Sequence, residues 1–199
     1  MSKTKILAIV VGVVGTLLYL KTTFFPPVPP WEAHTRAALE AYQTQNYSEA
    51  ETQLTAALKE AEQFPQGDYR LAETLRNLAE VYQQQSKYAE AEPLLKRSLE
   101  IEEKNLGADH PNVAGHLTNL GTNYRRQKKF KEAEPLYRRA LEIWEKALGT
   151  KSSLVLFALK NYRDLLHEMG REAEAETYQA KIDAREAQPG AEAPNNDTR

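Results

Sequence analysis

The chain has 199 residues, enough for one domain with short tails. It carries 26 Lys+Arg against 28 Asp+Glu; Lys3, Lys5 and Lys21 flank an apolar N-terminal run, so from residue 22 onward the balance is 23 against 28, or -5. A mildly acidic body lacks the basic face that nucleic-acid binding requires, and the absence of cysteine excludes disulfides, thiolate chemistry and a lipidated N-terminal cysteine.

Residues 6–20 read ILAIVVGVVGTLLYL, without a charge. As a helix this run spans roughly 22 Å, short of the roughly 30 Å hydrocarbon core of a bilayer. Continuing to Phe25, with Lys21 snorkelling toward the headgroups, brings the span over residues 6–25 to a workable length. Tyr19, Phe24, Phe25 and Trp31 then fall near one interface, where aromatic rings are favoured. Residues 1–25 are therefore expected to form a transmembrane signal-anchor. A cleaved signal peptide competes with this reading, but a cut after Gly15 falls inside the apolar run and no Ala-x-Ala follows Leu20. Lys3 and Lys5 against Lys21 and Arg36 favour an inside N-terminus, with the remainder on the extracytoplasmic (periplasmic) side. The prolines between Pro26 and Pro30 predict a stiff spacer over 26–31.

Beyond the spacer the sequence repeats itself. Glu-Ala-Glu occurs at 49–51, 90–92, 132–134 and 174–176, at steps of 41, 42 and 42. Asn77-Leu78-Ala79 recurs as Asn119-Leu120-Gly121 and loosely as Asn161-Tyr162-Arg163, while LLKRSLEIEEKNLG (94–107) matches LYRRALEIWEKALG (136–149). Agreement at one period over whole segments marks a repeat architecture. Within each unit, apolar residues at three- and four-residue steps predict two helices, as with Leu71, Leu75, Leu78 and Tyr82 followed by Tyr88, Ala91, Leu95 and Leu99. Gly107 and Gly149 suit helix ends, and Asp109-His110-Pro111 and Ser152-Ser153 suit the starts that follow. The units are placed at about 32–66, 70–107, 111–149 and 153–187. Residues 188–199, with no apolar side chain larger than alanine or proline, predict a disordered tail.

Small residues explain the stacking. Ala38, Ala79 and Gly121 share one position of the first helices, and Ala50, Ala91, Ala133 and Ala175 one position of the second. Helix axes approach to about 8 Å only over such residues. In the last unit Arg163 takes the small position and Glu172 an aromatic one, as suits a terminal repeat with a solvent-facing side.

These small positions, the Tyr or Phe before Glu-Ala and the helix-turn-helix unit resemble tetratricopeptide (TPR) repeats. The longer period, with NLA, KYAEAEPLLKRSLEI and LGADHPNVA, is similar to the kinesin-light-chain subtype. The resemblance covers residues 32–187 and implies an all-α, right-handed solenoid of about four hairpins, whose concave face, lined by the first helices, accepts an extended peptide or a partner's helix. The family's concave asparagine matches Asn77, Asn119 and Asn161, whose amides can both donate to and accept from a peptide backbone. Arg76, Glu80 and Gln83, then Thr118, Thr122 and Arg126, then Lys160 and Asp164 are the expected neighbours. The first unit has Leu39 where the chaperone-tail clamp of the family needs asparagine, so that activity is not carried over.

Chemistry is absent from the pattern. His34, His110, His116 and His167 show no metal-ligand spacing, Asp109-His110 is explained by capping, and neither a phosphate loop nor a nucleophile motif occurs. The glutamates of the second helices, Glu102 and Glu103 among them, read as a solvated face. Arg125, Arg126, Lys128, Lys129 and Lys131 form a basic cluster read as surface. The expected function is a membrane-anchored adaptor that binds another protein through its concave groove, without enzyme activity, metal or cofactor; an assembly factor or fixed subunit of a membrane complex is the alternative.

Overall fold

The structure is a computed structural model that describes residues 30–187. The expected anchor over 1–25 and tail over 188–199 lie outside the described residues. Among the described residues, no helix is long and apolar enough to cross a membrane.

The described residues form eight helices: α1 (Pro30–Gln43), α2 (Tyr47–Ala61), α3 (Tyr69–Gln84), α4 (Tyr88–Leu106), α5 (Pro111–Arg126), α6 (Phe130–Leu148), α7 (Ser153–Glu168) and α8 (Glu172–Glu186). Each packs on the next along the chain, and α3 touches α5 as α5 touches α7. Contacts confined to neighbours make a solenoid of hairpins.

Local chemistry sets the ends. Asn46, Asp68, His110 and Ser152 each accept a hydrogen bond from a backbone N–H of the first turn of α2, α3, α5 and α7. Pro111 opens α5, where a missing N–H costs nothing. Gln45, Ser86, Lys128 and Gly170 occupy one repeat position, the turn inside each hairpin, and all four have φ between 59° and 73°. Only the last is the glycine that this left-handed conformation favours.

At the crossing of α5 and α6, Gly121 faces the Tyr137 ring, and a Cβ on it would stand 3.1 Å from Cε1 of that ring. Loss of the side chain makes room for a fully buried tyrosine. Trp144 is buried with its indole N–H donated to the Pro111 carbonyl at 2.9 Å, so its polar edge is satisfied. In α7, Arg163 reaches across to Gln179 Oε1 on α8, and α8 buries only Ala175 and Ile182, as a terminal helix with a polar outer side does.

Two expectations are corrected. Pro30 and Trp31, assigned to the spacer, already belong to α1, and Trp31 is no interfacial ring. It is 8 % exposed, packed with Ala57, Ala61 and Phe64, and its N–H donates to Thr74 Oγ1 at 2.9 Å. Alanines on α2 leave a space that an indole fills, and burying the ring there removes more apolar surface from water than an interface would.

The glutamate that closes each of the first three Glu-Ala-Glu motifs is also more than a solvated group. Glu51 accepts from Lys87 at 2.9 Å and from Gln85; Glu92 accepts from Lys129 at 2.9 Å and from Gln127; Glu134 pairs with Arg171 at 2.9 Å. Each carboxylate ties its helix to the turn of the next hairpin. Lys96 and Lys129, the former contributing most, hold the Glu92 carboxyl down at about 2.

Candidate partner-binding trough

Three adjoining depressions run along the first helices of the hairpins. One of about 290 Å³ lies between α1 and α3, lined by Thr35, Leu39, Tyr42, Arg76, Asn77 and Glu80 among others. The next, about 640 Å³, runs from Arg76 past His116 and Asn119 to Leu154 and Phe157, with Trp144 and Leu148 closing one wall. The third, about 530 Å³, lies beside Tyr69, Glu102 and Leu106. Glu73 lines all three, so they form one trough.

Its lining is unusual for a surface. Leu39, Tyr69, Leu106, Leu148, Leu154 and Phe157 are the large apolar side chains left exposed among the described residues, Phe157 by 50 %, and every one lines the trough. Apolar area collected in one concavity marks an interaction surface.

Of the residues expected to bind, Arg76, Asn77, Glu80 and Asn119 line the trough. Arg76 belongs to two of its sections and stands 3.9 Å from Glu80, whose carboxylate accepts the Tyr42 hydroxyl at 2.9 Å. Burial and that carboxylate push the Tyr42 hydroxyl up to about 12, so it stays a donor. Among the described residues, the side-chain amides of Asn77 and Asn119 make no hydrogen bond and are open to a ligand.

Asn161, Lys160 and Arg126 do not join them. Asn161 donates to the Phe157 carbonyl of its own helix at 3.0 Å, Lys160 pairs with Glu186 at 2.8 Å, and Arg126 is exposed near the end of α5. Gln83, Thr118, Thr122 and Asp164 are bonded within the solenoid: to Asn119 O and Asn123, to Ala114 O, to Tyr137, and to Arg163. The basic cluster is partly neutralised, Arg125 by Glu168 and Lys129 by Glu92.

Sequence reasoning missed Leu154, Phe157, His116 and Glu102. Glu102 was read as surface, yet it is 7 % exposed. The repeat itself held the signal: one period away stand the buried Ala61 and Trp144, so a carboxylate sits at a core position. His116 likewise occupies the register of the buried Thr74 and Ala158 and is 7 % exposed. Its Nδ1 lies 2.8 Å from Ser98 Oγ, and that hydroxyl gives its proton to the Ala72 carbonyl at 2.7 Å. Nδ1 must therefore be the donor, which leaves Nε2 an acceptor. Burial, with Arg76 nearby, lowers the imidazole to about 4, so it is neutral at pH 7.

The repeat profile of the Tetratricopeptide repeat family matches residues 32–104, 70–142 and 112–182, overlapping windows that together take in three quarters of the chain. The chain belongs to the tetratricopeptide-repeat family. Solved structures share the TPR solenoid. BtubC (BKLC) from P. vanneervenii matches at 22 % identity with TM-score 0.71, over 83 % of this chain and 65 % of that one. The apo form of RapI matches at 20 % identity with TM-score 0.72, over 84 % and 60 %. Aspartyl phosphate phosphatase F from Bacillus subtilis matches at 16 % and TM-score 0.68, over 79 % and 40 %. A structure from Podosopora anserina, named for a kinesin light chain and built of nearly identical TPR-like repeats, matches at 17 % and TM-score 0.52, over 82 % and 99 %. This chain thus spans less than two thirds of BtubC and RapI. None of the curated proteins matches it.

Proposed function

We propose that this TPR chain is a membrane-anchored adaptor that holds a segment of another protein in the trough along α1, α3, α5 and α7. The observation that carries the reading is the gathering of every exposed large apolar side chain of the described residues in that trough, beside the open amides of Asn77 and Asn119. Apolar contacts supply affinity there, and amides hold a backbone without reading its sequence. Support for the anchor comes from the uncharged run at 6–20 and its flanking lysines, which also favour an extracytoplasmic solenoid. The chain works by binding, not turnover. Hydrolysis of an aspartyl phosphate by the purified full chain, the activity for which one structural neighbour is named, would refute that part.

The deciding experiment is cross-linking in intact membranes followed by mass spectrometry. Leu154→Ser with Phe157→Ser alters two exposed side chains outside the buried core, so the fold is kept. The partner captured by the wild type is lost from this variant and weakened by Asn77→Ala with Asn119→Ala. A partner retained at wild-type yield by both moves the contact off the trough and overturns the reading. Carbonate extraction of the same membranes tests the anchor, which predicts that the chain stays in the pellet.

A further inference from the structure

Glu102 and His116 sit where neighbouring repeats place Ala61, Trp144, Thr74 and Ala158, all buried. Both are more than nine-tenths buried, and both line the trough. Among the described residues the Glu102 carboxylate has neither a hydrogen bond nor an ion pair, and Glu73, which lines every section, has none either. Arg76, a cation that lines the trough beside them, stands 3.9 Å from Glu80 and is ion-paired with neither Glu73 nor Glu102 among the described residues. With no partner among the described residues, the lone pairs of both carboxylates are free toward the trough that they line. An incoming cation would meet them without displacing a partner in the fold.

We infer that Glu73, Glu102 and the Nε2 atom of His116 form a receptor for a positively charged side chain, an arginine or lysine, carried on the apolar partner segment that the trough accepts. The site deepens the adaptor reading and rests on it. Its parts are complementary to a guanidinium or ammonium: two acceptor-only carboxylates and a neutral ring nitrogen with a lone pair. Trp144 closes the wall beside them, and Leu148, Leu154 and Phe157 offer apolar surface to the residues flanking the cation. Neutral His116 adds an acceptor with no charge to repel the guest. The same carboxylates disfavour an acidic peptide and an anionic lipid surface.

The test uses the full chain in an uncharged detergent and fluorescein-labelled peptides of alternating leucine and arginine, with lysine and glutamate versions. The arginine and lysine peptides are expected to bind and the glutamate peptide to fail. Glu102→Gln keeps the shape and removes the charge; it should weaken the arginine peptide by about tenfold, the worth of one charge-assisted hydrogen bond. The same substitution should not lower the melting temperature, since no bond within the fold is lost. Loss of binding together with a lowered melting temperature would mean a structural role and would overturn the inference. Equal binding of the arginine and glutamate peptides would overturn it too, as would binding lost in Leu154→Ser with Phe157→Ser but untouched by Glu102→Gln and Glu73→Gln. That last pattern would leave the adaptor reading intact. Binding indifferent to all of these variants sinks both readings. Vesicles rich in phosphatidylserine that bind more tightly than the peptides would also overturn the inference, in favour of a lipid ligand.

Discussion

In the first hairpin, α1 and α2 meet through Ala38, Ala41, Ala50, Ala57 and Ala61, whereas in the third, α5 and α6 enclose Leu117, Leu120, Tyr137, Leu141 and Trp144. The buried residues of the later hairpins merge into one cluster from Ala79 to Ile182, while those of the first divide into two smaller groups, one of them around Trp31. Both ends of the trough are built on the same repeat, yet the first hairpin buries far less apolar side chain. In a solenoid each unit is stabilised by its neighbours, so an end unit with a thin core opens without unfolding the middle.

The largest expected effect separates the two regions. Leu117→Ala, in a fully buried position, should cost about 3 kcal/mol and lower the main unfolding transition. Trp31→Ala removes a larger side chain but should leave that transition nearly in place, with amide-exchange protection lost across α1 and α2. Equal shifts of the main transition would show that the first hairpin is not separately labile.

Next in size is the close approach at Gly121. Gly121→Val pushes against the Tyr137 ring and should cost about 2 kcal/mol, read as a lower denaturant midpoint. Tyr137→Leu in the same chain should recover much of that loss, a coupling expected of residues in contact. Additive losses would mean that the ring is not what requires glycine there.

Acid should act on the central region first. His116 is lowered from 6.5 to about 4, so between those values the unfolded chain binds the extra proton. Its contribution to stability is therefore full above pH 6.5 and lost as pH falls to about 4. Glu92 is lowered from 4.5 to about 2; its contribution is full above pH 4.5 and lost as pH falls toward 2. His116→Asn should flatten the melting temperature between pH 6.5 and 4 while leaving the lower-pH loss unchanged. An unaltered profile in the upper window would place its acid sensitivity elsewhere.

The smallest effect lies in the turns. Lys128→Gly relieves a φ of 60° and should stabilise the third hairpin by about 0.5 kcal/mol, the change that Gly170 already carries in the fourth. Gln45→Gly should give a similar gain that appears only in the exchange rates of α1 and α2.

The period of the sequence determined the helices, their pairing and the small positions at the crossings, because a stacked repeat must present the same face at each step. Asn77 and Asn119 were legible as trough residues for that reason, and so were the caps at His110 and Ser152. What repeats cannot state is which neighbour a side chain meets. Asn161 shares the asparagine register, but it turns back to the Phe157 carbonyl of α7, the last of the first helices described. Glu51, Glu92 and Glu134 looked solvated on their own helices; only the stacking brings Lys87, Lys129 and Arg171 to them across 36 or 37 residues. Trp31 followed a proline run that suggested a membrane interface, and the tertiary structure placed it in the core, because the alanines of α2 left a gap of its size. Glu102 carried a signal in its register, yet whether a carboxylate at a core position is paired depends on distances between hairpins. Local pattern fixes the elements; the environment of a charge is decided by packing between them.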